Sequence, residues 1–124
     1  MLNLSKAFSR FSVDDIEKAK DFYEDLLELK VSDNPMGVIE LDFGGAHKTI
    51  IYPKPDHCPA TFTVLNFPVD NIERAVDELS AKGVVFEQYD YLHTDDKGIS
   101  RNPGGPKVAW FKDPAGNILS IVEM

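Results

Sequence analysis

The strongest constraint on the fold is a segment that occurs twice. Phe11-Ser-Val-Asp-Asp-Ile-Glu-Lys-Ala19 returns 56 residues later as Phe67-Pro-Val-Asp-Asn-Ile-Glu-Arg-Ala75, identical at six of nine positions, while Asp15/Asn71 and Lys18/Arg74 keep size or charge. An Asp followed three residues later by Glu marks any good helix start, so the acids alone prove little. The Phe, Val, Ile and Ala shared at one offset do not follow from capping and point to an internal duplication. Charge divides the same way: 7 basic and 11 acidic residues up to residue 60, then 6 and 10, so each half carries −4 of the total −8.

What surrounds the repeat is also alike in the two halves. An alternating strand pattern precedes each copy, over 7–13 and 61–69. An amphipathic helix follows each: Ile16, Ala19, Phe22, Tyr23, Leu26 and Leu27 recur at helical spacing in the first, and Ile72, Ala75, Val76 and Leu79 in the second, where Gly83 offers a left-handed cap. Three strand-like runs come next. In the first half they cover 29–31, 37–43 and 47–52, with Gly44-Gly45 as a hairpin turn; in the second they cover 84–89, 107–112 and 118–123, with Asp113-Pro-Ala-Gly-Asn117 as the turn. The unit is βαβββ, twice, which makes the fold class α+β. Pro53, Pro55 and Pro59 mark the linker, and the segment 90–106, rich in Gly, Asp and Pro, reads as a long inserted loop.

Composition narrows the functions. At 124 residues the chain suits one domain with a sizeable core. A charge of −8 opposes phosphate backbones and anionic headgroups, so neither nucleic acid nor a membrane is expected as the main partner. One cysteine, Cys58, excludes an internal disulfide framework and suits a reducing compartment. The N-terminal residues lack a signal-like apolar run, and no window approaches a spanning length. The expectation is a soluble, cytoplasmic protein.

The paired modules, the junctions Val13-Asp-Asp-Ile-Glu-Lys-Ala19 with Phe22-Tyr23 and Val69-Asp-Asn-Ile-Glu-Arg-Ala75, and the turn Asp113-Pro-Ala-Gly-Asn117 resemble the vicinal oxygen chelate superfamily of glyoxalase I, extradiol dioxygenases, and fosfomycin- and bleomycin-resistance proteins. The resemblance implies one domain over 1–124, built from module one at about 5–54 and module two at about 60–124. It implies a curved mixed sheet, a half-barrel around a cavity with the helices on the convex side, and a homodimer. One scaffold here hosts unrelated chemistries, so the resemblance does not choose among them.

Enzymes of this superfamily hold a divalent metal through His or Glu on the first and last strand of each module. The matching positions in this chain are Phe8, Ile50, Val64 and Ser120. A phenyl ring, two aliphatic side chains and a hydroxyl cannot replace imidazole and carboxylate donors. The inherited metal site is therefore expected to be lost, leaving no cofactor. His47 and His57 read as ordinary surface or linker residues, and adjacent His57 and Cys58 point apart rather than forming a dyad. His93, at the start of the long loop, is the histidine best placed to reach a cavity.

By strand alternation Phe8, Arg10 and Ser12 line that cavity from the first strand, Ile50 and Tyr52 from its partner, and Phe62, Val64, Asn66 and Pro68 from the second module. Ile118, Ser120 and Val122 face it from the last strand. Trp110, Tyr89 and Tyr91 are available to stack on a flat ligand or to fill the core. Arg10 needs an anionic partner, either a ligand or an internal acid such as Glu40. The reading favoured by these residues is a metal-independent, bleomycin-resistance-like binder of a small organic compound. Two alternatives stand beside it: a metalloenzyme of the glyoxalase, lyase or dioxygenase kind with displaced ligands at His93, Glu40 and Asp90, and a partner-binding module with a vestigial cavity.

Overall fold

The computed structural model describes residues 1–124 as two compact units, Met1–Pro59 and Ala60–Met124. Each unit is a helix on a four-stranded mixed sheet. The first contains β1 (Ser9–Val13), α1 (Ile16–Asp21), β2 (Lys30–Asp33), β3 (Ile39–Asp42) and β4 (Lys48–Pro53), with strand order β1-β4-β3-β2. The second contains β5 (Thr63–Pro68), α2 (Ile72–Ala81), β6 (Ile99–Arg101), β7 (Lys107–Lys112) and β8 (Ile118–Glu123), in the order β5-β8-β7-β6. In each the first strand pairs parallel with the last, which is the signature of one duplicated unit.

The repeated segment folds the same way twice, with a shift of one residue from the simplest capping pattern. The N-caps are Asp15 and Asn71, not the preceding aspartates: Asp15 accepts from the amides of Glu17 and Lys18, and Asn71 from that of Arg74. Each places a side-chain oxygen over amide donors that a helix start otherwise leaves unpaired. The α2 start has a second acceptor, because the Glu123 carboxylate takes the Ile72 amide at 2.9 Å. After Asp21 the first helix widens into a π-helical turn over Phe22–Leu26, which seats Tyr23 in the core against Phe11.

Alternation sorts each sheet into two faces. In the first unit Val13, Ile39, Leu41 and Ile51 are buried with Ala19 and Tyr23 of the helical segment. The opposite face carries Arg10, Ser12, Glu40, Lys48, Ile50 and Tyr52, as the register Arg10↔Ile50, Ser12↔Tyr52 and Glu40↔Ile50 requires. In the second unit Ala109, Phe111, Leu119 and Ile121 are buried together with Ile72 and Val76 of α2. Asn66, Trp110 and Ser120 share the other face.

Two sequence expectations need correction here. The run 84–89 is not a full strand: only Phe86 forms a bridge, to Phe111. The fourth strand of that sheet is instead Ile99–Arg101, inside the predicted loop, and β-pairs with β7. Asp95 launches it by accepting the amides of Lys97 and Ile99, while Gly98 turns the backbone at φ +83°. A Cβ on Gly98 would sit 2.9 Å from the Phe86 Cβ, so this close approach of two segments is open only to glycine.

Candidate functional site

In the first unit the face away from the helix gathers Phe8, Arg10, Ser12, Ile50 and Tyr52 as the alternation predicts. Arg10 lays its guanidinium carbon 5.0 Å from the centre of the Tyr52 ring, in cation–π contact. It does not pair with Glu40. Both flank Ile50 in the register, on either side of β4, so their backbones lie two strand spacings apart, about 10 Å. Lys48, closer along the hairpin, takes the Glu40 carboxylate at 2.9 Å instead. Phe8 and Ile50 share with Glu40 and Lys48 a cleft of about 260 Å³, so two of the four positions matched to metal ligands do meet in space. Both present hydrocarbon.

Ser12 is engaged by a residue read from sequence as an ordinary linker histidine. Its Oγ lies 2.6 Å from His57 Nδ1, a hydrogen bond that draws the linker back to the first strand. No local pattern announces a bond spanning 45 residues. Cys58 is exposed beside it. His47 is exposed as expected, with Nε2 3.2 Å from the Ser9 hydroxyl and its ring stacked on Phe43.

In the second unit the strand register brings Asn66, Trp110 and Ser120 together. Ser120 is fully buried and donates to Asn66 Oδ1 at 2.5 Å, which removes its hydroxyl from the roles a ligating Glu would fill. Tyr89 meets the Trp110 ring edge-on at 5.6 Å and Tyr91 at 5.8 Å. The Tyr89 hydroxyl is buried with no hydrogen-bonding group of the chain in reach. Burial, with Glu87 nearby, holds its phenol above the ordinary value of 10.0.

Val64 departs from the expected alternation. Thr63 pairs with Ile118 and Leu65 with Leu119, so Val64 is the extra residue of a β-bulge and has no cross-strand partner of its own. The 56-residue correspondence holds from Leu65 onward and slips at the position matched to Phe8. His93 is exposed and caps the short turn Asp90–Leu92 with its backbone at φ 53°, while Ser100 Oγ ties that turn to β6 through the Leu92 carbonyl at 2.7 Å. Phe62 is exposed as well. A further groove of about 460 Å³ beside the start of α2 is lined by Asp70, Asn71, Arg74 and Glu78, and draws only Pro68 from the predicted face.

The donor set does not suit a divalent ion. Within each unit no three His, Cys, Asp or Glu side chains gather at one point, and the positions the duplicated fold reserves for ligands carry Phe8, Ile50, Val64 and a Ser120 already bonded to Asn66.

Two helix-on-sheet units that each pair first strand with last, on a duplicated sequence, define a paired βαβββ protein. A family model described as the Glyoxalase/Bleomycin resistance protein/Dioxygenase superfamily matches residues 8–121, and the chain belongs to that superfamily. A search of curated protein sequences gave no match. Solved structures similar to this chain include a superfamily member from Sphaerobacter thermophilus DSM 20745, at 22% identity over 95% of this chain and 97% of that one, with a TM-score of 0.71. TnmS3 from Streptomyces sp. CB03234, described as an antibiotic binding protein, is 22% identical over 94% of each chain, with a TM-score of 0.69. An integron cassette protein from the mobile metagenome of Halifax Harbour sewage outfall is 19% identical over 94% of this chain and 97% of that one, with a TM-score of 0.72. At these identities the structures establish a common fold. No helix of the chain is long and apolar enough to cross a membrane.

Proposed function

We propose that this chain binds a small organic molecule without a metal, in the manner of bleomycin-resistance proteins, and that two chains form a homodimer. The carrying observation is the chemistry at the four ligand positions. Phe8, Ile50 and Val64 offer no metal-binding side-chain atoms, and the Ser120 hydroxyl donates its hydrogen bond to Asn66 Oδ1. In the first unit the same sheet face sets Arg10 and Ser12 beside Ile50 and Tyr52, and in the second Asn66 lies beside Trp110 and Ser120; apolar surface with a few polar groups is the usual make-up of a site for a small ligand. The likeness to TnmS3, an antibiotic binding protein, supports the same reading.

The reading is tested by offering metals and compounds to the purified protein. Zn, Mn, Ni and Fe(II), each at micromolar concentration, are expected to leave the melting temperature unchanged, and elemental analysis to find less than one equivalent bound. A panel that includes bleomycin and other amphipathic aromatic compounds is expected to contain ligands that raise the melting temperature, since a ligand at 100 times its Kd adds about 2.7 kcal/mol of stability. Tight uptake of one equivalent of metal overturns metal independence. A broad panel with no stabilising compound favours the partner-binding alternative, and sedimentation as a monomer overturns the dimer.

A further inference from the structure

Arg10 is out of place in the charge economy of this chain. Acids outnumber bases by 21 to 13, and the other two arginines both hold carboxylates, Arg74 with Glu78 and Arg101 with Glu73 and Asp95. Arg10 has none, and Glu40, an acid on the same sheet face, is held by Lys48 of β4 at 2.9 Å. Its guanidinium carbon lies instead over the Tyr52 ring, 5.0 Å from the centre. That contact has a geometric consequence. A contact with a ring holds the guanidinium in place without an acid on its N–H donors, and those donors form the fork that matches the two oxygens of a carboxylate or phosphate.

The surroundings fit one end of a ligand. On one side, Ile50 pairs directly with Arg10 and, with Phe8, gives apolar surface to the 260 Å³ cleft, which Lys6, Lys48 and Glu40 also line. On the other side, two residues further along β1 and so about 7 Å away, the Ser12–His57 hydrogen bond anchors the linker and bounds the face with polar atoms.

Building on the small-molecule reading above, we propose that Arg10, oriented by Tyr52, receives the anionic group of the ligand, so that the compound bound is an aromatic or aliphatic carboxylate or phosphate monoester rather than a cation. The net charge of −8 argues for a cationic guest only as a field over the whole surface. A guanidinium without an acid acts at contact distance, where it outweighs the screened charges of a distant rim.

The probes are benzoate and phenyl phosphate, with benzamide and benzylamine as neutral and cationic counterparts of similar size, titrated into the full chain by NMR. Benzoate or phenyl phosphate is expected to bind at least tenfold more tightly than benzamide, with benzylamine weakest. Arg10→Met keeps the apolar stem and is expected to bring anion and amide to equal affinity. Arg10→Lys keeps the charge without the fork and is expected to lose part of the anion preference. Tyr52→Leu frees the guanidinium and is expected to weaken the anions severalfold while leaving benzamide little changed. Arg10 is exposed, so its variants are expected to melt within a couple of degrees of the native chain, and a circular dichroism melt checks this. An anion preference that survives in Arg10→Met overturns the assignment, as does benzamide or benzylamine binding as tightly as the anions. Failure of both anions to bind at 10 mM also overturns it. The small-molecule reading falls separately, only if the broad panel too gives no ligand.

Discussion

Replacing Tyr89 by Phe removes a single oxygen, and the structure fixes what that oxygen does. It is buried and no group of the chain accepts its proton or donates to it. A buried hydroxyl left unpaired costs about 1–3 kcal/mol. The ring itself is retained in Phe, together with its edge-on contact to Trp110 at 5.6 Å and its tilted contact to Tyr91 at 5.8 Å. Tyr89→Phe is therefore expected to stabilise the protein by about 1–3 kcal/mol, read as a higher urea midpoint at unchanged m-value. A second signature lies at alkaline pH. Desolvation first, and then the Glu87 charge, raise the folded-state pKa of Tyr89 above 10.0, so the unfolded phenol ionises before the folded one. Stability held below pH 10 is then lost as pH rises toward the folded value, a step the Phe variant lacks, so the gap between the two proteins should widen above pH 10. A variant no more stable than the native chain at pH 7, or a gap that stays constant from pH 8 to 11, would refute the reasoning and mean that the hydroxyl is satisfied.

Gly98→Ala is expected to destabilise by about 2 kcal/mol or more, because it combines a positive φ with a methyl group placed 2.9 Å from the Phe86 Cβ; a urea midpoint within error of native would sink the close-approach account. Acid should weaken the start of α2 and the turn before β6. The Ile72 amide, and then Lys107, hold Glu123 below its ordinary 4.5; at Asp95, burial pushes upward but the amides of Ile99 and Lys97 and the Arg101 guanidinium outweigh it, leaving a net fall below 3.8. Both contributions are present above those ordinary values and are lost as pH falls through the folded ones, and Glu123→Gln is expected to flatten that part of the stability–pH curve; an unchanged slope counts against it.

The duplication, the helix positions and the two sheet faces were legible in the sequence because each rests on periodicity or on a cap, both of which act over a few residues. The cap was misplaced by one position only because consecutive polar residues, Asp14-Asp15 and Asp70-Asn71, can each serve and backbone geometry chooses the second. What escaped depends on distance across the sheet. Arg10 and Glu40 are a plausible pair by charge, yet β4 stands between them, and strand order is not written in either residue. Val64 slipped because a bulge adds one residue without changing composition. β6 was missed for a related reason: three residues, Ile99-Ser-Arg101, are too short to show a period, and their strand character comes from β7 beside them and the Asp95 turn before them. The Ser12–His57 bond has no signal in either neighbourhood.

The strand order also dictates when each module can form during synthesis. In both sheets the strand that arrives last in chain order is an interior one: β4 lies between β1 and β3, and β8 between β5 and β7. Everything the first module needs for its sheet has been made by Pro53, so it can assemble while the rest of the chain is still being extended. The second module cannot join β5 to β7 until β8 has emerged, a wait of 54 residues between Asn66 and its partner Ser120. Through that interval Leu65 and Phe67 remain on an unpaired strand. The first module waits as well, 40 residues between Ser9 and its partner Thr49, so the two copies differ as nascent chains in the length of that wait, and the second keeps its first strand unpaired for longer.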